Sequence, residues 1–210
     1  MIFYSFLLNN LCNFTKKSMN IILPGDKDYE PRPSVQRKSL RINLNENIYG
    51  TFVEIGAGQE VARNFYRVGA ASGTIAKSMS AYDKAFSDSI YGEEDNGRYV
   101  TQNRLDKMLN HEMDLLEKRI SRDKNPDKFF FVYANTVATI DFAKKFKGHG
   151  WMGLKFQTNP NDDYSEIKLH LRFRQNEAKL QQESLGIMGV NLIYGAFYKH
   201  NEPLKLMKYL

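Results

Sequence analysis

The sequence predicts an α/β or α+β fold: a single domain with a mixed sheet that includes a C-terminal antiparallel hairpin, and helices packed on that sheet. Three patterns predict this fold: a strand–helix–strand succession over residues 51–82, an amphipathic helix at 104–120, and two alternating strands within 151–174. The 210 residues suffice for one domain with its own core. Hydrophobic and charged fractions of 42% and 26% exclude a disordered chain, a fibre and a multi-span membrane protein.

The chain divides into a leader at 1–40, expected to be extended or disordered, and a globular α/β domain at 41–210. Proline and glycine interrupt a polar stretch at 24–33 that has no period. The apolar opening MIFYSFLL is shorter than the roughly 20 residues that a membrane span needs, and its lysines follow it, unlike those of a secretory signal. We therefore interpret residues 1–18 as a non-essential extension, with Met19 as a possible start, and expect a cytoplasmic protein without a membrane partner.

In the first half of the domain, the sequence predicts a strand at 51–55, a helix at 59–68 and a second strand at 74–82. Val61, Phe65 and Val68 have helical spacing, and glycines border the helix on both sides. Residues 86–91 predict a helical turn or a loop. The clearest helix of the chain is predicted at 104–120, where six apolar residues form one stripe. They are Leu105, Met108, Leu109, Met113, Leu116 and Ile120.

The second half predicts three strands and a long helix. The continuous apolar run at 129–137 indicates a central strand that is covered on both faces. The strands at 151–157 and 167–174 alternate between apolar and polar residues and form the hairpin. The last large helix, 180–198, contains Gly186, Gly189 and Gly195, which favour the close approach of another backbone or a ligand. A further helix is predicted at 204–210.

Two glycine loops flank the first helix and are the leading candidate site. The first, 55–60, joins a strand to a helix start, where free amide groups favour an anion, although Val61 stands where a dinucleotide fingerprint has its third glycine. The second, 69–74, combines small and hydroxyl residues and precedes a lysine. If the loops share a ligand, the anion- or nucleotide-binding residues are these: Gly56, Gly58, Gln59, Arg63, Ser72, Gly73, Thr74 and Lys77. A tight strand-to-helix turn, with Glu60 complementing the helix dipole, is the structural alternative.

The outward face of the hairpin is a second candidate, because it is uniformly basic and could contact phosphate groups. Its residues are Lys155, Lys168, His170, Arg172 and Arg174, with Trp151 close by. A solvated outer face is the alternative, as is normal for an antiparallel sheet. The net charge of +6 is spread along the chain, so it is weak evidence for nucleic acid as a partner.

Other chemistry has little support in the sequence. The single cysteine, Cys12, forbids an intrachain disulfide, and the four histidines are scattered, so no metal site is predicted. There is no Gly-x-Ser-x-Gly elbow and no zinc-protease motif. The sequence therefore assigns no catalytic residue and no cofactor.

Four segments carry a resemblance over about residues 35–210. They are the run from NLNENIYGTFVEIGAGQEV to SDSIYG, then RYVTQNRLDKML, FKGHGWMG and LQQESLGIMGVNLIYGAFY. The chain resembles a bacterial family found among Bacteroidetes and cyanobacteria, whose members are usually more than twice as long and have no established activity. The resemblance implies that this chain corresponds to the N-terminal part of a longer protein, whose C-terminal region would be one of its partners.

Members of that family are often labelled nicotinate-nucleotide adenylyltransferase or TonB-dependent receptor. The first label implies a nucleotidyltransferase with a His-x-Gly-His motif, which this sequence lacks. The second implies a large outer-membrane barrel, and the strong helices and few strands oppose it. We therefore expect a protein that binds a nucleotide or another phosphorylated small molecule. The alternative is a non-enzymatic interaction module that docks a partner domain or RNA through the basic sheet face.

Overall fold

The structure is a computed structural model that describes residues 5–9, 33–143, 145–202, 204, 206, 207 and 210. It contains a mixed six-stranded sheet with helices on both faces, and it shows the α/β class expected from the sequence. The strands are β1 (Ser5–Asn9), β2 (Ile48–Gly56), β3 (Ile75–Ala81), β4 (Phe129–Ala138), β5 (His149–Phe156) and β6 (Ser165–Arg172). The helices are α1 (Val35–Asn43), α2 (Glu60–Arg67), α3 (Lys84–Tyr91), α4 (Gln102–Arg119) and α5 (Ala178–Lys199).

Most predicted elements are confirmed, and the differences lie at the ends and in one short helix. The segment at 86–91 is part of a complete helix, because Asp83 accepts the Phe86 amide and starts α3 two residues earlier. Helix α1 begins at Val35, where Ser34 accepts the Arg37 amide, so the domain boundary at residue 41 was placed too late. The rest of the leader, apart from β1, lies outside the described residues, as does part of the predicted helix at 204–210.

The order of strands in the sheet is β1-β6-β5-β4-β2-β3. Strands β3, β2 and β4 are parallel, and β5 and β6 continue the sheet as the predicted antiparallel hairpin. Strand β4 lies between β2 and β5, and its residues from Phe130 to Val137 are buried, as its apolar run predicts. Because β2, α2 and β3 form a parallel strand–helix–strand unit, the loop before α2 and the loop after it lie at opposite edges of the sheet.

Two separate cores cover the faces of the sheet. On one face, α1, α2 and α5 pack around Phe52, Phe65 and Tyr133. On the other face, α3 and α4 pack over Val53 and Val132. The four inward residues of β6 and its continuation belong to the first core, as the alternation predicts: Ile167, Leu169, Leu171 and Phe173.

Glycines in α5 allow α2 to lie directly against it. A Cβ atom on Gly186 would be 2.8 Å from the Cβ of Glu60, and one on Gly189 would overlap the side chain of Val61. The sequence predicts the close approach of a backbone or a ligand at these glycines, and in the structure it is helix α2 that approaches them. This contact sets the position of α2, and with it the turn that precedes α2, relative to the sheet.

Candidate functional site

The carboxyl ends of the parallel strands form the edge where open α/β sheets usually bind ligands. Gly56 ends β2 there, next to Val137 near the end of β4. Ala138 pairs with His149 at the start of β5, and His149 pairs with Arg172 at the end of β6. We call this line of strand ends the carboxyl edge. Neighbouring strands lie about 4.8 Å apart, so Gly56 and His149, two strands from each other, are separated by roughly 10 Å along the edge.

The first glycine loop lies at the carboxyl edge and is tightly bound to β4. Gly56 has φ of 76°, and a Cβ there would collide with the carbonyl oxygen of Val137, so only glycine fits. The Ala57 amide donates to that same oxygen at 3.1 Å. Gly58 is buried, with Leu185 and Asn135 where its side chain would be. Gln59 is exposed at the turn. The loop therefore has the compact geometry of the tight turn considered as the alternative.

The amide groups at the start of α2 are occupied by a carboxylate from the protein itself. The Val61 and Ala62 amides donate to Oε1 and Oε2 of Glu54 at 3.0 and 3.2 Å. Asn135 donates to Oε1 from the neighbouring strand at 3.1 Å. Glu54 therefore takes the position that a bound anion would have at a helix N-terminus.

The environment of Glu54 raises the pKa of its carboxyl group toward neutral pH. Burial raises the pKa of the Glu54 carboxyl to about 7, although the amides of Val61 and Ala62 and the side chain of Asn135 favour the charged form. Tyr133, fully buried beside it, accepts from Asn135 at 3.3 Å. The Oδ1 atom of Asn135 has no hydrogen-bond partner in the structure. This polar cluster lies between β2, β4 and α2 and is closed to solvent.

The second glycine loop lies at the opposite edge of the sheet. The Gly50 amide donates to the Thr74 carbonyl at 2.8 Å, which places this loop beside the beginning of β2. Six residues of strand separate Gly50 from Gly56, a distance of roughly 20 Å. The two loops therefore do not form one site, and the expectation of a shared ligand is wrong. The parallel β2–α2–β3 connection is the physical reason.

The other predicted residues of that site have separate surroundings. Arg63 is an exposed partner of Glu60 at 3.4 Å. The hydroxyl of Thr74 donates to the Asn43 carbonyl at 3.2 Å, while Ser72 and Gly73 are exposed. Lys77 lies on β3 and forms an ion pair with the buried Glu112 of α4. None of these residues contributes to the carboxyl edge.

The basic face divides into a neutralised half and an open half. Lys155 pairs with Glu166 at 3.3 Å. Lys168 pairs with Asp106 at 2.7 Å and with Glu166 at 2.8 Å. Arg172 and Arg174 are exposed and form no ion pair with any residue that the structure describes. The positive charge available to a ligand is therefore concentrated at the carboxyl edge.

Two histidines and the tryptophan form a cluster beside Arg172. The imidazole of His170 stacks on the indole of Trp151, with ring centres 4.7 Å apart and an interplanar angle of 18°. His149 meets His170 edge-on at 5.7 Å. All three side chains are half-buried, and the buried Nδ1 atom of His149 has no hydrogen-bond partner in the part of the chain that the structure describes. We call His149, Trp151, His170 and Arg172 the edge cluster.

The charge of Arg172 reaches both imidazoles of the edge cluster. Burial lowers the pKa of His149, and the nearby Arg172 guanidinium lowers it further. Burial also lowers the pKa of His170, with contributions from His149 and Arg172. At pH 7 both rings are therefore neutral, and each can donate one hydrogen bond and accept another.

Sequence reasoning identified His170 and Arg172 in this cluster but left His149 among the scattered histidines. Its position could have been read from the pairing of the two alternating strands, because His149 and Arg172 stand at matching ends of the hairpin. Glu54 was noted only as an available acid or base. Its contact with the start of α2 depends on how the turn folds back, which no sequence period reveals.

The comparisons with known proteins show the fold. No protein-family model matches the sequence, and the search of curated proteins finds no match. A competence/damage inducible protein from Agrobacterium tumefaciens is similar in structure, with a TM-score of 0.51 and 12% identity over 79% of this chain and 97% of that one. A competence-damaged (CinA) superfamily protein from Enterobacter cloacae has a TM-score of 0.57 and 8% identity, covering 83% and 99% of the two chains. A competence or damage-inducible protein from Enterobacter asburiae has a TM-score of 0.52 and 9% identity, covering 78% of this chain and 96% of that one.

Identities this low show a shared architecture and assign no activity to this chain. Within the described residues, no helix is long and apolar enough to cross a membrane.

Proposed function

We propose that this protein binds a nucleotide or another phosphorylated small molecule at the carboxyl edge, with Arg172 as the main anion contact. The observation that carries the proposal is the edge cluster: an exposed guanidinium that has no ion pair among the described residues, beside two half-buried neutral imidazoles and an indole. A guanidinium can bind two phosphate oxygens at once, and imidazole N–H groups add further donors. The aromatic rings offer an apolar surface beside the charge, as a nucleotide requires.

The position of the cluster supports the proposal independently of its composition. It lies at the edge where parallel β2 and β4 end, with Gly56 on the same edge. Ligands of open α/β sheets are usually found outside the carboxyl ends of the strands, and the edge cluster lies beside those ends. The first glycine loop lies on the same edge, and its neighbouring amides of Val61 and Ala62 remain bound to Glu54.

The alternative, a docking module for a partner domain or RNA, has less support from the charges of the sheet face. A long basic face would suit an extended polyanion, but Lys155 and Lys168 are neutralised by acidic neighbours. Among the residues that the structure describes, the unpaired positive charge of that face is at its Arg172 end. The adenylyltransferase label is supported by the family resemblance alone, and the proposal made here is binding, without an assigned reaction.

Isothermal titration against AMP, ATP, NAD and nicotinate mononucleotide tests the proposal. We expect at least one of them to bind with a Kd below about 1 mM and the Arg172→Gln variant to bind it at least 10-fold more weakly, since a charged hydrogen bond contributes roughly 1.5–3 kcal/mol. The matched control is Arg67→Gln, which removes an equally exposed arginine at the end of α2, away from this edge.

Absence of binding by every compound would contradict the proposal, as would equal weakening by Arg172→Gln and Arg67→Gln. A gel shift with single-stranded RNA separates the alternative. Binding that falls steeply with salt and is stronger than that of any mononucleotide would favour the docking module.

A further inference from the structure

A cavity lies on the α4 face, between the first halves of β2 and β3 and the end of α4. Its volume is about 100 Å³. Tyr49, Leu115, Leu116 and Ile120 form apolar walls, and Lys77, Glu112 and Arg119 bring charge to it. A cavity of this volume has room for several water molecules or a compound of about four to six non-hydrogen atoms, and is too small for a nucleotide. Because it lies beside the first halves of β2 and β3, it is a different place from the carboxyl edge.

The charged groups of this cavity are held in place by buried contacts. Glu112 is 1% exposed and forms an ion pair with the Lys77 ammonium, whose side chain is 31% exposed. Tyr91 donates to the other oxygen of Glu112 at 2.7 Å. An ammonium has three N–H donors, and the contact with Glu112 uses one of them. Lys77 is thus fixed at the cavity with donors to spare, while both oxygens of Glu112 are engaged.

An apolar residue would serve the helix better at position 112 if packing were the only requirement. Glu112 lies within the buried stripe of α4, between Met108 and Leu116. Replacing a buried ion pair with apolar groups is often neutral or stabilising, so stability alone is a weak reason for a charged pair at this position. Arg119, exposed at the cavity, has no ion pair with any side chain described in the structure. Two cations and one carboxylate leave the cavity with a net charge of +1.

We propose that this cavity binds a small monocarboxylate with a short aliphatic chain, whose carboxylate contacts Lys77 and Arg119 and whose chain packs on Leu115, Leu116 and Ile120. The net charge of the cavity matches one anionic group, and its walls match a hydrocarbon of a few carbons. The pairing of Lys77 with Glu112 positions the ammonium without filling the cavity. Tyr91 secures the carboxylate of Glu112, so the ligand meets the donors of Lys77.

An NMR titration of the ¹⁵N-labelled full chain with butyrate tests this site, with the neutral isostere butyramide as the ligand control. We expect saturable shifts of the amides of 76–77 and 115–120 with butyrate, and shifts at least fivefold smaller with butyramide. Arg119→Gln should weaken butyrate binding at least threefold, and Arg67→Gln should leave it unchanged. The double variant Lys77→Met/Glu112→Met removes both charges together and should abolish the shifts.

Equal shifts with butyramide would overturn the proposal, and so would unchanged butyrate binding in Arg119→Gln. If the double variant fails to fold, the result for Arg119→Gln decides alone, because that side chain is exposed and its loss leaves the core intact. Saturable shifts of the same amides with inorganic phosphate, and none with butyrate, would likewise overturn the assignment to a monocarboxylate. These outcomes are independent of nucleotide binding at the carboxyl edge.

Discussion

Glu54 and Asn135 lie directly opposite each other in the parallel register of β2 and β4, and the side-chain amide of Asn135 donates to the Glu54 carboxylate at 3.1 Å. This pair connects the sheet to the start of α2 through the Val61 and Ala62 amides. It explains why the first glycine loop, although shaped like an anion cradle, has the anion already supplied by the chain. An anionic ligand at this edge must therefore contact a positively charged side chain outside this loop. Among the described residues of the basic face, Arg172 is an exposed arginine at this edge without an ion pair.

The Glu54 carboxyl should give the protein a pH-dependent stability. Its pKa rises from 4.5 to about 7 on folding, so the folded state holds the proton more tightly than the unfolded state. This contribution is therefore fully present below pH 4.5 and is lost as the pH rises to about 7, a decrease of about 3 kcal/mol at about 1.4 kcal/mol for each pKa unit. Urea denaturation of wild type and Glu54→Gln between pH 5 and 8 measures it.

Glu54→Gln should become more stable relative to wild type as the pH rises, because glutamine stays neutral. The exposed Glu183→Gln on α5 is the matched control and should show no such trend. A difference between wild type and Glu54→Gln that is constant with pH would contradict the raised pKa of Glu54.

His149 and His170 should titrate below the usual histidine pKa of about 6.5. Because the Arg172 guanidinium disfavours a second positive charge beside it, Arg172→Gln should raise the pKa of both imidazoles. NMR titration of the histidine ring protons measures both values. Arg67→Gln should leave them unchanged, and an unaltered pKa of both rings in Arg172→Gln would remove the electrostatic link within the edge cluster.

Gly189→Ala should destabilise the fold by about 1–3 kcal/mol, since a methyl group there would overlap Val61 and reach within 2.9 Å of the Tyr133 hydroxyl. The gain in helix propensity, at most about 1 kcal/mol, offsets only part of this cost. The control is Gly73→Ala, where no atom lies within 4 Å of the added methyl. The free energy of unfolding from urea titration measures both, and equal values would show that α2 and α5 can move apart without cost.

Arg104→Met should be the most destabilising of these changes, by about 3–5 kcal/mol, because it leaves two carboxylates without their buried partner. Arg104 has no exposed surface and lies 2.6 Å from Asp88 and 3.2 Å from Glu94. Arg98→Met, at an exposed position nearby in the chain, should have little effect. Similar unfolding free energies for the two variants would show that the ion pairs around Arg104 contribute little.

The elements of this fold were predictable wherever periodicity or apolar runs are strong. The six-residue stripe of α4 and the strict alternation of β6 correspond to the observed burial. The continuous run of β4 correctly indicated a central strand. Helix α3 was harder to predict, because it has eight residues and only Ser87 and Tyr91 are buried, so its apolar pattern is short.

The candidate site was only partly predictable, and the main error could have been avoided. A strand, a helix and a strand in succession imply parallel strands, and parallel strands place the loops around the helix at opposite edges. Gly56 and Gly73 could therefore have been separated from the sequence alone. The pairing of Lys155 with Glu166 follows from the register of the hairpin. The pairing of Lys168 with Asp106 could not be predicted, because Asp106 comes from α4, whose packing across the hairpin has no local sequence signal.

Trp151 is the one tryptophan of the sequence, and its ring lies against His170. The intrinsic ultraviolet emission of the whole chain therefore originates largely within the edge cluster. A stacked imidazolium quenches indole more strongly than a neutral imidazole does, so brightness should change when His170 takes up a proton. The fold thus contains an optical reporter at its carboxyl edge that requires no label.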